Sequence, residues 1–152
     1  MNKFMNEALK EAKKAYKKDE VPVGCVIVKD NKIIARAHNL KMKEQSVISH
    51  AEINAIKKAS KKLKEMYLID CDMYVTLEPC TMCSGAIIHS RLRKVYFGAY
   101  DNKTGAIVSK SQILDQDFHN HHVLYEGNIM QDECSKILKE YFKEKREKHH
   151  GL

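Results

Sequence analysis

Two short clusters carry the chemistry of this chain: His50-Ala51-Glu52 and, thirty positions on, Pro79-Cys80-Thr81-Met82-Cys83. They supply one imidazole, two thiols and a carboxylate. Structural zinc sites are usually closed by four protein ligands, whereas catalytic sites leave one position to water. Three ligands beside a spare acid therefore point to chemistry. Cys80 and Cys83 share a face if they lie on a helix. At a helix start the positive end of the macrodipole favours the thiolates that zinc binds. His50 and Glu52, two apart, fall roughly 200° apart on an ideal helix. Both can reach one pocket only if His50 stands in the turn that leads into the helix. Zinc with an open position lowers the pKa of bound water from about 15.7 to about 7. Glu52 is then placed to take that water's proton and pass it to a leaving nitrogen. The expected reaction is hydrolytic removal of an exocyclic amine from a heteroaromatic ring. Each half alone says less: CxxC also serves redox pairs and structural fingers. A closed structural site would need a fourth ligand, for which Cys25, Cys71 and His89 are the candidates.

The elements that must hold these residues follow from periodicity. Phe4, Ala8, Leu9, Ala12, Ala15 and Tyr16 recur at helical spacing between lysines. Val23 to Val28 and Ile33 to Ala37 read as strands of a hairpin turned at Asp30-Asn31. Asn39 to Ser49 reads as a polar loop and Ala51 to Ala59 as a helix. Asp72 to Leu77 reads as a strand, stopped by Pro79, which can open a helix running through Cys83 and Ile87. Lys94 to Phe97 and a stretch near His122 to Tyr125 complete five strands. A last helix spans roughly Gln131 to Lys148, with Cys134, Ile137, Leu138, Tyr141 and Phe142 as its apolar stripe. Strands alternating with helices predict an α/β fold, a three-layer α/β/α sandwich around a mixed five-stranded sheet. One domain over 1–152 is expected, its charged tail fraying from about Lys143.

Composition narrows the class. The chain has 152 residues, 43% hydrophobic and 31% charged. Its longest apolar run, near Val21 to Val28, falls far short of the ~20 residues of a membrane span. Charges from Lys3 onward leave no secretory h-region, so a cytoplasmic protein without membrane contact is expected. Five cysteines, an odd count, argue against a disulfide framework. The net charge of +7 suits a polyanion, although 23 of the 27 basic residues are lysine, which a proteome-wide lysine bias would also give.

The H-x-E and P-C-x-x-C pair matches the zinc nucleobase deaminase signature. Glu20-Val21-Pro22-Val23-Gly24, Tyr74-Val75-Thr76-Leu77-Glu78-Pro79-Cys80, Gly85-Ala86-Ile87-Ile88-His89-Ser90-Arg91, Phe97-Gly98-Ala99 and Asp101-Asn102-Lys103-Thr104-Gly105 extend the match over nearly the whole chain. In these segments the chain resembles the bacterial tRNA adenosine deaminases. The resemblance implies a cytidine deaminase-like fold and conversion of adenosine to inosine at the wobble position of the tRNA anticodon. It implies one zinc per subunit and a homodimer holding the anticodon stem-loop across its subunits; DNA is not an expected partner. It assigns His50, Cys80 and Cys83 to the metal and Glu52 to proton transfer. Val23 and Asn39 match the pocket around the flipped nucleotide. Asp101 and Lys103 match the loop that grips the anticodon, Asn120 with His121 another anticodon contact, and Tyr141 and Phe142 the aromatic pair of the last helix. Bland roles stand beside these: Val23 as core, Asn39 as a cap, Asp101 as the organiser of its own turn, and one of Tyr141 and Phe142 as buried stripe. Val47-Ile48-Ser49 replaces the family's usual Pro-Thr-Ala, Val108-Ser109-Lys110 its Gly-Ser-Leu, and Tyr100 a polar position. These departures bear on the loop before His50 and on the anticodon context accepted. A deaminase of a free base or nucleoside would carry the same clusters, and an RNA-binding module with structural zinc is the non-enzymatic alternative.

Overall fold

The computed structural model describes residues 2–150. Helix α1 (Lys3–Lys17) starts at Asn2, whose side chain accepts the amides of Phe4 and Met5. Strands β1 (Gly24–Lys29) and β2 (Lys32–His38) form the expected antiparallel hairpin. Asp30 and Asn31 both have positive φ, 51° and 62°, the geometry a two-residue turn needs to match strand twist. Helices α2 (Lys41–Glu44) and α3 (Ala51–Leu63) follow, then β3 (Cys71–Leu77), α4 (Thr81–His89), β4 (Lys94–Ala99), a 3-10 turn (Ile113–Asp115), β5 (Leu124–Glu126) and α5 (Gln131–His150).

The sheet order is β2-β1-β3-β4-β5. β1 runs antiparallel to both neighbours, while β3, β4 and β5 are parallel. Alternation along the strands assigns each side chain to a face. Cys25 and Ile27 of β1 join Met73, Val75, Val95 and Phe97 beneath Ala51, Ala55 and Ala59 of α3 and Ile87 and Ile88 of α4. Val26 and Val28 point the other way, into a second core with Met5, Ala8, Leu9 and Ala12 of α1 and Cys134 and Ile137 of α5. This is the three-layer α/β/α sandwich with a mixed five-stranded sheet. Gly24 lets α1 lie against β1: a methyl there would stand 1.9 Å from the carbonyl oxygen of Ala8. No helix among the described residues is long and apolar enough to cross a membrane.

Three segments differ from the sequence expectation. The polar loop after β2 contains the single turn α2, whose Met42 and Lys43 amides donate to Glu20 at 2.9 and 2.8 Å. A carboxylate more than twenty residues away thus caps it, which local propensity does not reveal. β5 begins at Leu124, because its pairing with β4 starts only at Lys94–Leu124. Helix α5 continues past Lys143 to His150; the expected fraying at Gly151 and Leu152 lies outside the described residues.

Candidate active site

The two clusters meet where β3 gives way to α4, at the carboxyl end of a parallel strand, the usual ligand position in such sheets. Cys80 is the N-cap of α4 with extended backbone (φ −78°, ψ −179°), and Cys83 lies one turn on, fully buried. His50 is the N-cap of α3, also extended (φ −81°, ψ 153°). It stands in the leading turn, as two-apart spacing from Glu52 required. Its side chain makes no cap bond; the Ala51 amide instead donates to Oδ1 of Asn39 at 2.7 Å. The imidazole is therefore free to face the sulfurs. His50 Nδ1 lies 3.7 Å from Cys80 Sγ and 3.5 Å from Cys83 Sγ.

These separations fit a shared metal. Zn–N near 2.05 Å and Zn–S near 2.3 Å at a tetrahedral angle put N and S about 3.6 Å apart. The three donor atoms lie within 4.8 Å of one another, and among the described residues no fourth histidine, cysteine or carboxylate joins them. Cys25, Cys71 and His89, the candidates for closing a structural site, stand outside the group: Cys25 and Cys71 are buried, His89 is exposed. His50, Cys80 and Cys83 are thus placed to bind one metal ion. A hydrogen bond from the Cys83 thiol, with another from His50, holds Cys80 down at about 4. That bond and burial push Cys83 up. The partner Cys80 in turn raises His50.

Glu52 is 4% exposed and outside the ligand set. Burial pushes its carboxyl up to about 7, with the charge of Cys80 adding to the rise. The acid so lies beside the ligands without being one.

The remaining candidates fall into separate places. Asn39, Tyr141 and Phe142 share a groove of about 700 Å³ with Lys18, Lys41, Lys43 and Lys145. Tyr141 is buried, its ring edge-on to Tyr16 of α1 at 5.5 Å, whereas Phe142 is 45% exposed. One of the pair is thus stripe and one surface. Asn39 is buried, and of its side chain only Oδ1 is engaged among the described hydrogen bonds. The preceding His38 is held by Glu11 of α1 at 3.0 Å, which fixes the end of β2. Val23 lies in the sheet core under α3. Asp101 organises its own turn: Oδ1 accepts the amides of Lys103 and Thr104, and Oδ2 the Thr104 hydroxyl. Lys103 is exposed. Asn120 and His121 line a different cavity, of about 300 Å³, with Tyr67, His89 and Phe118. His121 Nε2 lies 2.8 Å from the Leu92 carbonyl oxygen.

The loops around the site depend on residues to which the motifs gave no role. Glu20 holds α2, and Ser49, buried, bonds Glu44 at 2.7 Å and Asn54 at 3.1 Å. The atypical Val47 and Ile48 are exposed, and Ser49 alone of that triplet is built in. Glu78 holds the loop after β4. A carboxylate between Leu77 and Pro79 at the end of an apolar strand was the available signal, since buried acids are rare unless satisfied.

The family described as the cytidine and deoxycytidylate deaminase zinc-binding region matches residues 1–99. The tRNA-specific adenosine deaminase of Aquifex aeolicus is 48% identical over 143 residues, 94% of either chain. That of Bacillus subtilis is 46% identical over 145 residues, 95% of this chain and 90% of the relative. A structure solved in a study of A-to-I editing by tRNA:A34 deaminases at the wobble position of transfer RNA superposes with a TM-score of 0.86. It is 41% identical, over 89% of this chain and 98% of that one.

Proposed function

We infer the reaction from a settled premise: the chain belongs to the zinc-binding cytidine and deoxycytidylate deaminase family, and its relatives at 43–48% identity over nearly full length are tRNA-specific adenosine deaminases. The protein is a zinc-dependent tRNA adenosine deaminase. It converts adenosine to inosine hydrolytically, adding water and releasing ammonia. We assign the edited base to the wobble position and the recognition element to the anticodon stem-loop.

Zinc held by His50, Cys80 and Cys83 would supply a Lewis acid and a water made acidic enough to react near neutral pH. Glu52 does the proton work: its carboxylate takes the proton of the attacking water and returns it to the amine leaving C6 of the purine. Burial of Glu52 keeps that proton from bulk solvent. Val23 and the free Nδ2 of Asn39 line the pocket for the extruded base, Asn39 donating to it. Extrusion costs little, because a hairpin loop already exposes its bases.

The observation that carries RNA over a free base is the groove beyond Asn39. Four lysines, of which Lys145 is paired with Asp19 at 2.6 Å, and exposed Phe142 line it, a net positive edge beside a stacking surface. Lys103, on the turn that Asp101 organises, extends this grip. Pairing of two copies belongs to the same reading. Exposed Tyr67 and Phe118 beside α4 support it, and Asn120 and His121 on the same cavity would meet RNA held across the pair. A cytoplasmic setting, where tRNA is available, completes it. The test is to incubate the zinc-loaded protein with an anticodon stem-loop carrying a wobble adenosine and to weigh the RNA. Exchange of amine for oxygen adds about one dalton. Activity confined to free nucleosides or bases would reject the RNA assignment.

A further inference from the structure

Glu78 is separated from Cys80 by Pro79 alone, yet its carboxylate stands outside the donor group and bonds the loop after β4. It is 2% exposed. Its Oε2 accepts three consecutive amides, Ile107 at 3.2 Å, Val108 at 2.8 Å and Ser109 at 2.9 Å. Its Oε1 accepts the Asp101 amide at 3.0 Å and the Ser109 hydroxyl at 2.5 Å. Burial alone would raise the carboxyl; the hydrogen bonds from Ser109, Val108 and Asp101 outweigh it and hold the group below its ordinary range. The loop closes on the same strand end at a second point, where the Ala106 amide donates to the Pro79 carbonyl at 2.9 Å. Gly105 makes the approach possible. A methyl there would stand 2.4 Å from Glu78 Oε1 and 2.6 Å from the Asp101 carbonyl oxygen.

We propose that Glu78 is a positioning residue that locks the Asp101–Ser109 loop to the Cys80 turn, so that the loop's RNA-facing end stands at a fixed place relative to the reacting base. This rests on the tRNA reading above. All five partners of Glu78 are donors, and a carboxylate is the side chain that only accepts. The loop is therefore held by four backbone amides and the Ser109 hydroxyl, and the half-exposed side chain of Val108 takes no part in the grip. Asp101 hangs on the same carboxylate through its amide and in turn orders Lys103 through its own. The order of the grip thus runs from Glu78 to Asp101 to Lys103.

The test compares wild type, Glu78→Gln and Ser109→Ala as full zinc-loaded chains. Glutamine keeps the size but turns an N–H pair toward amide donors. Expected for E78Q are unchanged zinc content, faster hydrogen exchange at the 107–109 amides and a KM for stem-loop RNA raised about tenfold or more. Its kcat should stay within about threefold of wild type, the signature of lost binding rather than lost chemistry. S109A, which leaves four of the five bonds, should shift KM by no more than about threefold. An unchanged KM in E78Q, a fall in kcat alone, or loss of zinc would overturn the role. If E78Q does not fold, Gly105→Ala, which displaces the carboxylate without changing its charge, carries the same comparison. A wild type that leaves the stem-loop unedited would reject the tRNA reading instead. Exchange at 107–109 together with RNA affinity would then decide the role of Glu78.

Discussion

In the proposed reaction Asn39 does two jobs at once, and two substitutions separate them. Its Oδ1 is the acceptor given to the amide of Ala51, a residue with no exposed surface, at 2.7 Å. Asn39→Ala orphans that buried donor at a cost of about 2 kcal/mol, within the range for an unsatisfied group and for a lost N-cap. For a chain of 152 residues this corresponds to a fall in Tm of about 4–8 °C. The turn that aims His50 loosens with it, and zinc affinity should drop about 10- to 100-fold, as when a partner orienting a ligand is removed. Asn39→Asp keeps the acceptor at a helix N-terminus, where negative charge is favoured. Its Tm and zinc affinity should therefore stay near wild type. Aspartate lacks the Nδ2 donor, however, and kcat/KM on the stem-loop should fall about tenfold or more. Thermal unfolding, zinc competition against a chromophoric chelator and the mass assay read the three quantities. An alanine variant within about 1 °C of wild type and with full zinc affinity would refute the capping argument. An aspartate variant of unchanged kcat/KM would refute the donor role.

Glu52→Gln should leave zinc content unchanged and lower turnover by about 10²–10⁴-fold or more; near-normal turnover would remove Glu52 from the proton path. Replacing Lys41, Lys43 and Lys145 together with alanine should weaken RNA binding without altering kcat. It should also flatten the dependence of log affinity on log salt by about 2, as loss of three phosphate contacts to a single strand implies; an unchanged salt slope would place the RNA elsewhere. Burial would raise the carboxyl of Glu11, but hydrogen bonds from Lys14 and His38 outweigh it and hold the group below its ordinary range. A depressed carboxyl stabilises the fold above its unfolded value and loses that contribution as acid protonates it. Denaturant melts of Glu11→Gln between about pH 5 and pH 3 should fall less steeply than those of wild type; parallel curves would show the pair to be silent.

What could be read in the sequence was whatever the chain encodes locally. The period-2 strands, the Asp30-Asn31 turn and the amphipathic α1 and α5 all have their causes within a few residues. The metal set was legible because H-x-E and P-C-x-x-C each place donors at helix starts, and the two-residue spacing of His50 and Glu52 already demanded an extended His50. The supports were not legible. Glu20 caps α2 and Glu78 gathers the 101–109 loop through backbone amides 22 to 31 positions away. No periodicity or motif announces such a bond; for Glu78 the one local hint is a carboxylate closing an apolar strand. The Asn39 cap on Ala51 spans 12 positions and is hidden in the same way. Conversely, the exposed Val47, Ile48 and Val108 differ from the usual family residues without entering the scaffold, because backbone, Ser49 and the Ser109 hydroxyl carry it.

The central claim is that this protein grips its metal with three side chains and keeps a fourth position beside an acid that is not a ligand. X-ray absorption at the zinc edge of the zinc-loaded protein tests it most directly. Two sulfur neighbours, one imidazole nitrogen and one further light atom, the last alone replaced when a small anion is added, would be the predicted spectrum. A third sulfur, a second imidazole, or a neighbour lost in Glu52→Gln would contradict it.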